Sequence, residues 1–159
     1  MIVEIILLIF ILWIYATFSS KNSNFTNCKD NGIIDEFERD EITTLKYLRR
    51  VIDTICLELN ITEIFDLKRQ NTKTFAENNI IYVVIFDKTN ELYELNTIVY
   101  YVVHVLTHLV IKSETHESKF IQMQKKILTI VKNYKFYDPE ISLDKNYPCL
   151  TCLKSAKKN

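Results

Sequence analysis

Glycine occurs once in this chain of 159 residues, at Gly32, and proline twice, at Pro139 and Pro148. So little of either argues against a loop-rich or disordered protein. There is no charge surplus of either sign: 20 basic residues stand against 20 acidic ones. Proteins that bind nucleic acid usually show a basic excess or stripe, and the basic residues here are scattered, so no nucleic-acid partner is expected. Histidine is scarce too, and all three histidines fall between Asn96 and Phe120. What is abundant is apolar side chain, at 48% of the residues, enough for one modest core in a single domain of about 120 residues.

The apolar residues begin at once. From Ile2 to Phe18 only Glu4 is charged. At ~1.5 Å per residue that run spans ~25 Å, sufficient for a bilayer. Trp13 and Tyr15 lie toward its far end, where amphipathic rings favour the lipid interface. A cleaved signal peptide is the rival reading. It would want a basic residue before the run and a small-x-small cleavage site, and the chain offers neither a preceding Lys or Arg nor a good match at Ala16-Thr17-Phe18. Residues 1–20 are therefore expected to be a transmembrane anchor in the lipid bilayer. Lys21 and Lys29 follow it, which by the positive-inside rule places the rest of the chain on the cytoplasmic side. Residues 21–33 read as a polar tether ending in the Asn31-Gly32 turn, 34–153 as the folded domain and 154–159 as a basic tail.

Within the domain, Asp35 is placed to cap a helix running to about Leu59. Its apolar stripe is Phe37, Ile42, Leu45, Leu48, Ile52, Ile55 and Leu59. Residues 62–79 are mixed, with Ile64, Phe65 and Leu67 as expected packing points. Ile80–Phe86 is β-branched and aromatic throughout and reads as a strand. Asp87–Asn90 reads as a turn and Glu91–Glu94 as a short partner strand, giving a hairpin. Asn96 is then placed to cap an almost wholly apolar helix through Ile111, and a further helix is expected from about Glu117 to Lys132. The aromatic stretch 133–149 reads as an irregular segment that wraps over the site. Among the four cysteines, Cys56 reads as a buried thiol. Cys149 and Cys152 form one CxxC, open to a half zinc site, a redox pair or two incidental thiols. Asn24-Phe-Thr26 and Asn60-Ile-Thr62 are formal glycosylation sequons, relevant only to a lumenal domain.

The histidines carry the functional signal. His104 and His108 are four residues apart, hence on one helix face about a turn apart, and His116 follows after seven residues, room for the chain to fold back. This is the layout of a HExxH zinc site with a third histidine ligand. The position after His104, where a zinc protease carries its general-base Glu, is Val105, which cannot accept a proton. The plainer alternative is that each imidazole is a core residue bonded to a carbonyl or a Tyr hydroxyl. An unpaired polar group in a dry core costs on the order of 1–3 kcal/mol, so some partner is required either way. Thr107 is expected to bond back to its own helix.

From Ile80 to Cys149 the chain resembles the zincin-like metallopeptidases of the WLM and SprT type, especially the small membrane-anchored versions encoded by large DNA viruses. The matching run is the strand IIYVVIF, the acidic turn DKTNELYELNT, the helix YYVVHVLTHLV, then KSETHESKF and a tail ending in YPC. The family pattern resembles HELAH, seven residues, His, and a Phe four further on. The resemblance implies zinc held by His104, His108 and His116, with Phe120 packed beside them. It also implies an α+β, mainly helical fold: an N-terminal transmembrane helix and a small zincin-like domain with a short β-hairpin before the HxxxH helix. Two departures stand out, Val105 for the Glu and Thr115 where the family has Gly before the third histidine. The expectation is a membrane-anchored pseudo-peptidase that binds an unidentified protein partner. Two alternatives stay open: an active zinc peptidase with a displaced base, and a metal-free structural protein of a membrane or virion.

Overall fold

The computed structural model describes residues 36–149, so the expected anchor, tether and basic tail, together with Cys28 and Cys152, lie outside the described residues. Within them the chain is mixed α+β. Three helices, α1 (Glu36–Glu58), α2 (Leu95–Ile111) and α3 (Ser118–Asn133), accompany a three-stranded sheet of β1 (Asp66–Arg69), β2 (Phe75–Glu77) and β3 (Ile80–Val83). Among the described residues no helix is long and apolar enough to cross a membrane.

The sheet order is β1-β3-β2, with β1 parallel and β2 antiparallel to β3. Its hairpin is not the one that the apolar run Ile80–Phe86 and the turn after it suggest. β2 and β3 are joined by Asn78-Asn79, both at positive φ (49° and 61°), the geometry a two-residue hairpin turn requires. The expected pairing of 80–86 with 91–94 survives as one bridge, Phe86 to Leu92, closing a turn in which Asp87 Oδ1 accepts from the Thr89 and Glu91 amides. β1 is Asp-Leu-Lys-Arg, too charged to read as a strand. It forms because its backbone pairs with the apolar β3, while Arg69 binds Glu41 and lies 5.5 Å from the centre of the Phe86 ring.

All three helices end the same way. Asn60, Lys112 and Lys135 sit just past α1, α2 and α3 at φ of 53°, 52° and 59°. In each case the next residue's amide bonds back five residues: Ile61 to Cys56 (2.9 Å), Ser113 to His108 (3.3 Å) and Phe136 to Val131 (2.8 Å). This is the Schellman termination that glycine usually serves. In a chain with a single glycine, asparagine and lysine adopt the left-handed backbone instead.

α2 lies at the centre, touching α1, α3, β2 and β3. Ile98, Val99, Val102, Val103, Val105 and Leu106 are fully buried on it, against Leu48, Val51 and Ile55 of α1, Ile81 and Val83 of β3, and Ile127 and Val131 of α3. Ile42 and Ile64, expected in the core, are 38% and 84% exposed, whereas Phe65 is buried as expected and Val51, outside the expected stripe, is buried too. Asn96 is not the helix cap. α2 starts two residues earlier, at Leu95 after Glu94, and the Asn96 amide instead clasps the tail, donating to the Asp138 carbonyl (3.0 Å) and accepting from the Asp138 amide (2.7 Å). The aromatic tail is thereby held along the first turns of α2, where Tyr147 stacks on Tyr101 at 4.6 Å. Its hydrogen bonds and ring contacts run there, to α1 and to the sheet side, rather than forming the expected cover over the histidines. Cys149 is buried, its backbone bridged to that of Thr74, and Cys56 is a half-buried free thiol.

Candidate metal centre

α2 delivers His104 and His108 from one face, one turn apart, as the i, i+4 spacing requires. The left-handed turn at Lys112 then reverses the chain, and the 113–117 loop brings His116 back over them. His116 Nε2 lies 3.2 Å from His104 Nε2 and 3.1 Å from His108 Nε2. All three can offer a ring nitrogen within 4.8 Å of one another, close enough to hold a metal ion.

The separations fit a small cation. Three nitrogens around a tetrahedral zinc at ~2.1 Å sit ~3.4 Å apart, within a few tenths of an ångström of the two contacts here. Hydrogen bonding alone serves the cluster poorly. His108 Nδ1 is 2.6 Å from the Ser113 carbonyl, an acceptor only, so that nitrogen carries the ring proton and Nε2 is a bare lone pair. His116 Nε2 can donate to only one of its two neighbours, and when it accepts from His104 it has no proton for His108. A cation at the centre would serve all three nitrogens together once each presents a lone pair.

Burial favours the neutral form of His104 and His108, the form that binds metal. His104 and His108 are only 6% and 9% exposed, whereas His116 is half-buried. Burial, reinforced by the two neighbouring imidazoles, pulls His104 from 6.5 down to about 3. Burial lowers His108 as well, opposed by its bond to the Ser113 carbonyl. Phe120, in the first turn of α3, closes the far side, its ring centre 5.1, 4.3 and 4.6 Å from those of His104, His108 and His116.

Val105, where a hydrolytic site would place its base, is fully buried. It lines a groove of about 540 Å³ together with His108, Phe75 and Glu77 of β2, and Glu114. Of the two carboxylates flanking His116, Glu114 lines that groove. Thr107 donates to the Val103 carbonyl at 2.8 Å, as a back-bonded helix threonine does.

Two contributors escaped the sequence reading. Ser113 acts through its carbonyl, a main-chain group that no side-chain pattern reveals. Gln124 Nε2 lies 3.2 Å from His104 Nδ1, and its spacing of four from Phe120 was the available signal, since it places both on one face of α3. Compared with protein-family models, curated proteins and solved structures, the chain matches none.

Proposed function

We propose that this chain is a membrane-tethered, zinc-binding module of the zincin-like type that has kept the metal site and lost the peptidase chemistry. The observation that carries the reading is the convergence of His104 Nε2 and His108 Nε2 on His116 Nε2, at 3.2 and 3.1 Å, beside a buried Val105. Three imidazoles at this spacing suit zinc, whose bound form supplies Lewis acidity and a lowered water pKa in hydrolytic sites. Such a site needs a general base within hydrogen-bond reach, and its loss typically removes ~10²- to 10⁴-fold of rate. In this reading the metal ties the α2–α3 loop to α2, and the groove along β2 serves a protein partner. The apolar N-terminal segment holds the domain at a membrane on its cytoplasmic side. The resemblance to the WLM and SprT type, and to viral members of it, supports this assignment through ligand spacing.

The test is the zinc content of the full chain, extracted in detergent and purified without a metal-affinity tag. About one zinc per chain, lost in His108→Ala, is expected. Absence of zinc from the wild type would remove the reading and leave a metal-free structural membrane protein. A second reading draws on Glu114 in the groove beside His108: an active peptidase with a displaced base. It requires measurable zinc-dependent peptide cleavage that Glu114→Gln abolishes without loss of zinc.

A further inference from the structure

A histidine presents its Nε2 lone pair only when its proton is on Nδ1, so whatever bonds to Nδ1 controls what the other nitrogen can do. For His108 the Ser113 carbonyl fixes the choice permanently. His104 differs. Its Nδ1 faces the side-chain amide of Gln124, half-buried on α3 one turn beyond Phe120, with the amide nitrogen toward the ring at 3.2 Å.

A primary amide has a donor end and an acceptor end, exchanged by a half-turn about its last side-chain bond. With the nitrogen toward the ring, the amide donates to Nδ1. The ring proton then sits on Nε2 and points at His116 Nε2, 3.2 Å away, where it bonds the third histidine and blocks a cation. With the oxygen toward the ring, Nδ1–H donates to the amide and Nε2 is free to ligate. We infer that Gln124 is a positioning residue that selects the proton-bearing nitrogen of His104, holding the cluster closed by an imidazole–imidazole bond and opening it to metal when the amide turns over. The Nε2–H proton passes to water and one from water adds at Nδ1, so one N–H bond breaks, another forms, and the proton count of the ring is the same in both states.

The first half of this inference concerns the metal-free protein. The second rests on the zinc reading above. The experiment therefore has two readouts on the full chain in detergent, with wild type, Gln124→Glu and Gln124→Leu. Imidazole ¹⁵N shifts at pH 8, without metal, report the tautomer of His104. Wild type should carry the proton on Nε2, and Gln124→Glu, whose carboxylate only accepts, should move it to Nδ1. Zinc competition against a chromophoric chelator should rank affinity Glu above Gln above Leu, with Leu about 10- to 100-fold weaker than wild type. A residue that merely packs would tolerate leucine. An unchanged His104 tautomer in Gln124→Glu overturns the inference, as does a zinc affinity in Gln124→Leu equal to wild type. If the wild type binds no zinc, the proposed function fails, and the tautomer comparison still decides the role of Gln124.

Discussion

Val105 is where one side chain separates two chemistries. It is fully buried and lines the groove at His108, so a carboxylate there would face the same space. Under the proposed function the wild type is expected to show no peptide hydrolysis in a fluorogenic assay, and Val105→Glu, loaded with zinc, to gain a slow rate. A variant that keeps its zinc and its helical signal yet gains nothing would mean that more than the base is missing. Much of this residue scale was legible in the sequence, because i, i+4 spacing on a helix is a fixed distance. His116 was legible only as a candidate, since seven residues of loop permit many placements. The left-handed turn at Lys112 and the Ser113 carbonyl select one of them.

Helix ends and a tail latch dominate the scale of elements. Lys135 is exposed and holds φ at 59°, a conformation that costs a non-glycine residue roughly 1–2 kcal/mol. Lys135→Gly should raise stability by about 1 kcal/mol in urea unfolding, part of the relief being offset by the greater freedom of glycine in the unfolded chain. A decrease would show that the lysine side chain contributes more than its backbone costs. The tail latch is directional. Tyr147 has one hydroxyl proton and gives it to the Val84 carbonyl (2.7 Å), so Thr74 must donate to Tyr147 (2.8 Å) while its own oxygen accepts the Val84 amide (3.0 Å). Thr74 and Tyr147 thus replace a strand partner just past the end of β3. Tyr147→Phe leaves the buried Val84 carbonyl unmatched and should cost about 1–3 kcal/mol by the same measurement. The tail reads as irregular from sequence because this pairing joins residues 63 and 73 positions apart.

For the whole molecule the histidine cluster links stability to pH. In the metal-free protein the unfolded chain takes a proton at His104 near 6.5, while burial holds the folded form off until about 3. The folded state therefore binds fewer protons in that window, and stability is lost as pH falls through it. Between pH 7 and pH 5, above the range of ordinary carboxylates, the loss is on the order of 2 kcal/mol, read as a falling Tm. His104→Gln should flatten the slope, and an equal slope in that variant would assign the effect elsewhere. Zinc should raise Tm at pH 7, by about 2.7 kcal/mol of stability at a hundredfold excess over Kd. A chelator should reverse the gain.

Local pattern by itself determined α1, α2 and α3 and the central strand: helical spacing of apolar residues in α1 and α3, a long apolar run in α2, and a short β-branched one from Ile80. It also determined which three side chains were able to share an ion. The tertiary structure alone decided that charged Asp66–Arg69 is a strand, that Asn78-Asn79 makes the hairpin, that Asn96 clasps the tail, and that Gln124 meets His104. Each of those depends on a group distant in sequence or on the main chain. Local pattern records what a residue prefers, whereas pairing and packing decide which preference is satisfied.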